Sequence, residues 1–220
     1  MRWKSPSALT FAVAVLGLPL TVTAQSQRVT DLAVGKLLVS PRNSPDPIFA
    51  ETVVLLAQMD ENGAMGLMIN RRSKMPLSSV LDQVKGASNR SDPVYLGGPV
   101  ELDAVLALLR SETAPSKAPL VTPGIYLVAT RSLLEKTLAS GVGSRDFHVY
   151  MGYCGWGAGQ LQNEVKRGGW YIFSGDVNLV FDAEPATLWP RLIDRAALKY
   201  ARTVPPAGAT IANASVAATR

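Results

Sequence analysis

Short apolar runs separated by turn-forming residues set the pattern of this chain, and they predict strands alternating with a few helices. Lys36 to Ser40 and Thr52 to Met59 are aliphatic, β-branched stretches of strand length, the pattern of buried strands. PRNSPDP, residues 41 to 47, lies between them with three prolines in seven residues, which favours an extended, turn-rich path. Asp60-Glu61-Asn62-Gly63 predicts a hairpin turn, because Asn-Gly accepts positive φ at both central positions. Ala64 to Asn70 is then the returning strand.

Leu77, Val80, Leu81 and Val84 fall at helical intervals and predict a short surface helix over 77–84. Pro93 to Leu96 reads as a strand stopped by Gly97-Gly98-Pro99, and SETAPSKAP at 111 to 119 as a flexible connection. Gly124 to Ala129 is a strand. The helix that follows starts at a capping box of Ser132 and Glu135 and ends at Gly141. Asp146 to Met151, Ala158 to Arg167 and Trp170 to Ser174 form a strand, a helix and a strand. Over about 188–200, a last helix gathers Leu188, Trp189, Leu192, Ile193, Ala196, Ala197 and Tyr200 on one face. Arg191, Asp194, Arg195 and Lys199 face water. Residues 203–220 lack periodicity and are expected to be disordered.

The first 24 residues have the composition of an export signal: Arg2 and Lys4 precede an apolar stretch from Leu9 to Leu18, Pro19 ends it, and Val22-Thr23-Ala24 offers a cleavage site. The stretch is too short to span a bilayer, so no transmembrane segment is expected in the mature chain. Removing it takes the formal charge from +5 to +5 − 2 = +3, only mildly basic. Arg71, Arg72 and Lys74 form the densest cationic cluster, short of the broad basic face that nucleic acid demands. A periplasmic or secreted location is therefore expected, with a cytoplasmic one as the alternative if the signal is not used. A single cysteine, Cys154, excludes an internal disulfide, and a single histidine, His148, excludes a multi-imidazole zinc site. No metal or cofactor is expected. With 47% of its residues apolar, the chain suits one domain.

Residues 151–170, MGYCGWGAGQLQNEVKRGGW, hold six glycines and two tryptophans. Gly155 and Gly157 followed by Asp176 invite comparison with a dinucleotide-binding turn, but the third glycine is replaced by Gln160, and Trp156 sits where a pyrophosphate would approach. With GKLLVS at 35–40, DPIFAETVVLL at 46–56, ENGAMGLMINR at 61–71 and VYLGGPVE at 94–101, the run resembles the AlgH/YqgE family of bacterial proteins across roughly residues 33–198. That resemblance implies one α+β domain, 25–202, with a mixed, mainly antiparallel sheet and about four short helices packed on it. It also implies that Val105 to Leu109, which composition allows as helix, is a strand, and it carries a label of transcriptional regulator. Arg72 stands where the family usually has proline, and family members often have another small residue at position 154.

The glycine-rich run is expected to turn the chain sharply and seat a helix on the sheet, with Tyr153 and Trp156 covering the sheet end. Tyr153, Trp156, Gln160, Asn70 and Arg71 are the candidate binding residues, with an unknown protein or a small anionic ligand as partner. The anion would use free amides at the start of the 158–167 helix. No catalytic residue is assigned. The expectation is a non-enzymatic binding or interaction module. The alternatives are a regulator, which no helix-turn-helix pattern supports, and a thiol enzyme using Cys154, for which His148 lies about 20 Å away along an extended strand. Asp60 and Glu61, and Asp176, Asp182 and Glu184, are read as solvated carboxylates. Asn213-Ala214-Ser215 matches a glycosylation triplet by chance.

Overall fold

Leu37, Leu38 and Val39 are all fully buried, as are Val53, Val54, Leu55 and Leu56, so the first strands lie in a sheet covered on both faces. The computed structural model describes residues 29–201; the expected export signal, the 203–220 tail and the Asn213 triplet lie outside the described residues. The strands are β1 Lys36–Val39, β2 Val53–Asp60, β3 Gly63–Met68, β4 Arg72–Pro76, β5 Pro93–Leu96, β6 Val100–Arg110, β7 Leu120–Thr122, β8 Ile125–Val128, β9 Phe147–Gly157 and β10 Tyr171–Ser174. The helices are α1 Leu77–Val80, α2 Arg131–Ala139, α3 Gln160–Lys166, α4 Val177–Val180 and α5 Leu188–Ala201, with a 3-10 turn at Pro185–Thr187. Ten strands form one curled sheet in the order β10-β1-β2-β3-β9-β6-β8-β7, with β5 beside β9 and paired to β4. All pairs are antiparallel except β5 with β9. The fold is a single α+β domain, as expected.

Side-chain alternation sorts the core into three parts. Leu37, Val39, Leu55 and Tyr150 face one side with Leu188, Trp189, Leu192, Ile193 and Ala196 of α5. Leu38, Val54, Leu56, Cys154 and Trp156 pack against Leu161 and Val165 of α3. Val94, Ala107, Phe147 and Val149 meet Leu133, Leu134 and Leu138 of α2. Each fully buried leucine or isoleucine contributes about 1.5–3 kcal/mol. Trp189 also donates its indole N–H to the Ser40 carbonyl at 2.9 Å, fixing α5 to the end of β1. Ala197 is exposed, not on the buried face, because it sits about 100° round the helix from Ala196.

The glycine-rich run is not a corner. Residues 151–157 continue β9, whose later half pairs with β3 through Gly66↔Cys154, Met65↔Gly155, Ala64↔Trp156 and Gly63↔Gly157. The reason is a backbone crossing. A Cβ on Gly97 would stand 2.2 Å from the Gly152 carbonyl oxygen, and one on Gly98 would stand 2.1 Å from the Tyr153 carbonyl carbon. Gly152, at φ +67°, also resets the alternation of β9, so that Tyr150 and Tyr153 both face the α5 side while Met151 and Cys154 face the other. Gly97 N–H donates to the Met151 carbonyl at 2.7 Å, and Met68 N–H to the Gly97 carbonyl at 2.8 Å.

Other boundaries shift for local reasons. The capping residue of α2 is Thr130, whose side chain accepts the Leu133 N–H, and Glu135 pairs instead with Arg131, so the Ser132 box is displaced by two residues. The helix expected over 77–84 stops after Val80 and continues as turns through Ala87. Helix α3 starts two residues late because Gly159 takes the left-handed conformation, φ +72°. Strands β4 and β7 and helix α4 had no sequence signal strong enough to place them. The 105–109 run is strand, within β6.

The two glycines of one motif differ testably. Gly152→Ala places its Cβ 2.5 Å from the Gly98 oxygen at a positive φ, whereas Gly157 has nothing within 4 Å. Urea unfolding is expected to show a loss of roughly 2–4 kcal/mol for Gly152→Ala and a change within about 0.5 kcal/mol for Gly157→Ala.

Candidate functional site

Trp156 lies in β9, 6% exposed, with its ring across that of Trp170 at 6.2 Å and 80°. Both indole N–H groups donate to Glu164 Oε2, at 3.0 Å from Trp156 and 2.9 Å from Trp170. Gln160 donates to Glu164 Oε1 at 3.0 Å, and its own Oε1 accepts the Gly157 N–H at 3.2 Å. One carboxylate thus ties α3 to β9 and to the start of β10, and Gln160 takes up the last amide of β9, just before the helix start where an anion was considered. Tyr153 packs at the edge of the α5 core, and the adjoining Glu101 carboxylate, by hydrogen bonding to the phenol, raises its pKa.

Asn70 and Arg71 fasten the proline-rich segment. Asn70 Oδ1 accepts the Val53 N–H and its amide donates to the Glu51 carbonyl, both at 2.9 Å. Arg71 Nη2 reaches the Ile48 and Ala50 carbonyls at 3.0 and 2.8 Å and Thr52 Oγ1 at 2.9 Å. Asp60 holds the hairpin turn through the Asn62 and Gly63 amides, and Asp176 caps α4. Asp182, read as solvated, is a half-buried partner of Arg191. Among the described residues no group of three or more His, Cys, Asp or Glu side chains could hold a metal.

Cys154 is fully buried with its thiol 3.5 Å from the Gly97 carbonyl oxygen, and burial pushes its pKa to about 12, the Arg71 charge acting against this. At neutral pH it is a protonated, apolar-packed thiol. His148 faces the other side of the sheet. Its ring lies between Tyr95, 4.6 Å away and stacked, and Phe181, 4.7 Å away and tilted. The two side chains form no nucleophile–base pair.

Among the described residues, exposed apolar side chains gather beside the Gly97–Gly98 crossing. Ile48, Met75, Leu96 and Leu102 are four of the seven exposed large hydrophobic residues among those described, and all four line one hollow of about 420 Å³. Met68, Met151, Gly98 and Pro99 complete its wall, and Arg71 is its sole charged residue. Leu102 is presented by an excursion of β6: the register passes from Val100↔Tyr153 to Val105↔Met151, and Glu101 takes φ +43°, rare for a non-glycine residue. Of these wall residues the sequence singled out only Arg71. Its isoleucine, leucines and methionines look like core residues in sequence, and the register break turns Leu102 outward.

The geometry defines an α+β domain with a methionine-lined apolar hollow on its surface. The chain belongs to the AlgH-like family DUF179, whose model matches residues 37–201. It is 37% identical over 164 residues to a UPF0301 protein of Xanthomonas campestris pv. campestris, covering 73% of this chain and 86% of that protein. A UPF0301 protein of Chlorobaculum tepidum is 31% identical over 163 residues, 74% of this chain and 86% of its own length. The solution structure of the AlgH protein from Pseudomonas aeruginosa superposes with a TM-score of 0.59 at 28% identity, covering 83% of this chain and 95% of that one. A Corynebacterium diphtheriae crystal structure shares the fold, with a TM-score of 0.63 at 18% identity over 74% of this chain and 87% of that one.

Burial lowers the His148 pKa from 6.5 to about 4, against the pull of the nearby Ser144 carbonyl. Between those values the unfolded chain binds a proton that the folded one does not, so stability present above pH ~6.5 is lost as pH falls towards ~4. In phosphate-free buffer the loss attributable to His148 is expected to be about 3 kcal/mol, read as the difference in urea-unfolding free energy between wild type and His148→Phe from pH 7 to pH 4.

Proposed function

We propose that this chain is a non-enzymatic interaction module whose apolar hollow seats an aliphatic side chain of a partner polypeptide, with a carboxylate of the same segment against Arg71. The observation that carries this reading is the convergence of Ile48, Met75, Leu96 and Leu102, exposed, around a single guanidinium. Contiguous apolar surface of this kind marks interaction sites, and methionine side chains adapt to differing apolar shapes. Charge complementarity selects an acidic residue beside the aliphatic anchor. Backbone strain supports it too, since Glu51, three residues from Ile48, and Glu101, next to Leu102, both hold positive φ.

A peptide array of aliphatic segments with and without an acidic neighbour tests this. Wild type is expected to retain the acid-flanked peptides, and Leu102→Asp to bind them at least ~10-fold more weakly, about 1.4 kcal/mol, with stability within about 0.5 kcal/mol of wild type. Equal retention by Leu102→Asp would remove the hollow from the function.

Export follows from the charge and apolar pattern of residues 1–24, and we place the module's work outside the cytosol on that basis. Cell fractionation with N-terminal sequencing is expected to find a mature chain beginning at Gln25. An intact Met1 in the cytosolic fraction would return the regulator reading, with salt-dependent DNA affinity as its own test.

A further inference from the structure

Two buried side-chain polar atoms among the described residues have no partner at all, His148 Nδ1 and Tyr150 OH, and the buried Arg90 Nη2 has only its ion pair with Asp92. A second hollow, of about 410 Å³, lies on the α5 side of the sheet. His148 lines it, Tyr150 packs on Tyr95 of its wall with ring centroids 5.3 Å apart, and Arg90 pairs with Asp92 at its rim. Native folds leave few such atoms, so the unpartnered His148 nitrogen in the wall of a hollow points to a polar occupant.

The charges around the hollow favour an anion. Arg72 from the start of β4, Arg110 from the end of β6 and Arg145 from the loop before β9 all line it. Arg110 lies 3.6 Å from Asp146, whereas Arg72 and Arg145 form no ion pair among the described residues. The two carboxylates on the rim, Asp92 and Asp182, are already neutralised by Arg90 and Arg191. His148 is 8% exposed, and the aromatic rings on either side of it fix the plane of its imidazole.

We propose that this hollow binds a small phosphomonoester, its phosphate dianion lying between Arg72 and Arg145 and accepting a hydrogen bond from His148. Two unpaired guanidinium groups match a double negative charge, and a phosphate has oxygen atoms enough for both forks and the imidazole, which a carboxylate lacks. Without ligand the ring is neutral, because burial first, and the Arg72 charge in addition, disfavour the imidazolium. The Ser144 carbonyl, and after it Asp92 and Asp146, act the other way. A dianion beside the ring favours its charged form, so binding raises the imidazole pKa.

His148 is the chain's only histidine, so the imidazole NMR signal is unambiguous. The experiment titrates the mature chain with inorganic phosphate, phenyl phosphate, benzoate and chloride at constant ionic strength. Saturating phosphate is expected to raise the His148 pKa by at least about one unit, with phenyl phosphate binding more tightly and chloride without effect. Arg72→Ser and Arg145→Ser are each expected to weaken binding about 10-fold or more. His148→Phe keeps the ring stack and is expected to fold and lose the phosphate response of Tyr95 line widths and melting temperature. Equal responses to phosphate and chloride, tighter binding of benzoate, or undiminished affinity in Arg145→Ser or His148→Phe would each overturn the assignment. None of these readouts involves Leu102, so the apolar hollow stands or falls separately.

Discussion

Two stretches of backbone cross with no side chain between them, Gly97-Gly98 on one and Gly152 on the other, and the long strand β9 can serve its neighbours only because they do. Below the crossing β9 pairs with β6 and, in parallel, with β5; above it the same strand pairs with β3. A single methyl group at any of the three glycines would have to occupy space already held by a carbonyl group. The crossing also sets the surface. Gly98, Met68 and Met151, which meet there, line the apolar hollow, so the candidate contact surface is a by-product of this close backbone packing.

Much of the architecture was legible in sequence because it rests on local rules. The Asn62-Gly63 hairpin, the amphipathic α5 and the apolar strands β1 and β2 follow from turn chemistry and periodicity. The glycine-rich run misled for a physical reason: glycine serves both positive φ and close approach, and local pattern cannot say which is in use. At Gly152 it is both, at Gly159 it is conformation, and at Gly157 it is neither. The Ser132 box failed because Thr130 offered a competing hydroxyl two residues earlier.

The binding surface was less legible than the fold. Trp156, Gln160 and Asn70 drew notice because polar and aromatic groups beside glycines resemble ligand contacts, yet each spends its hydrogen bonds within the protein. Leucines and methionines, by contrast, carry no sign in sequence of being left uncovered. Consecutive arginines show the difficulty most clearly: Arg71 reaches back to the 48–52 segment while Arg72 lines the hollow beside His148. Charge counting joined them into one cluster, but the chain sends them to opposite surfaces.

Cys154 closes a further question about where such a molecule can work. A lone cysteine in an oxidising compartment ordinarily invites cross-linking between chains, but this sulfur is sealed beneath α3 against the Gly97 carbonyl and stays protonated up to strongly alkaline pH. Thiol–disulfide poise therefore has no handle on the folded domain: thiol exchange requires prior opening of the sheet.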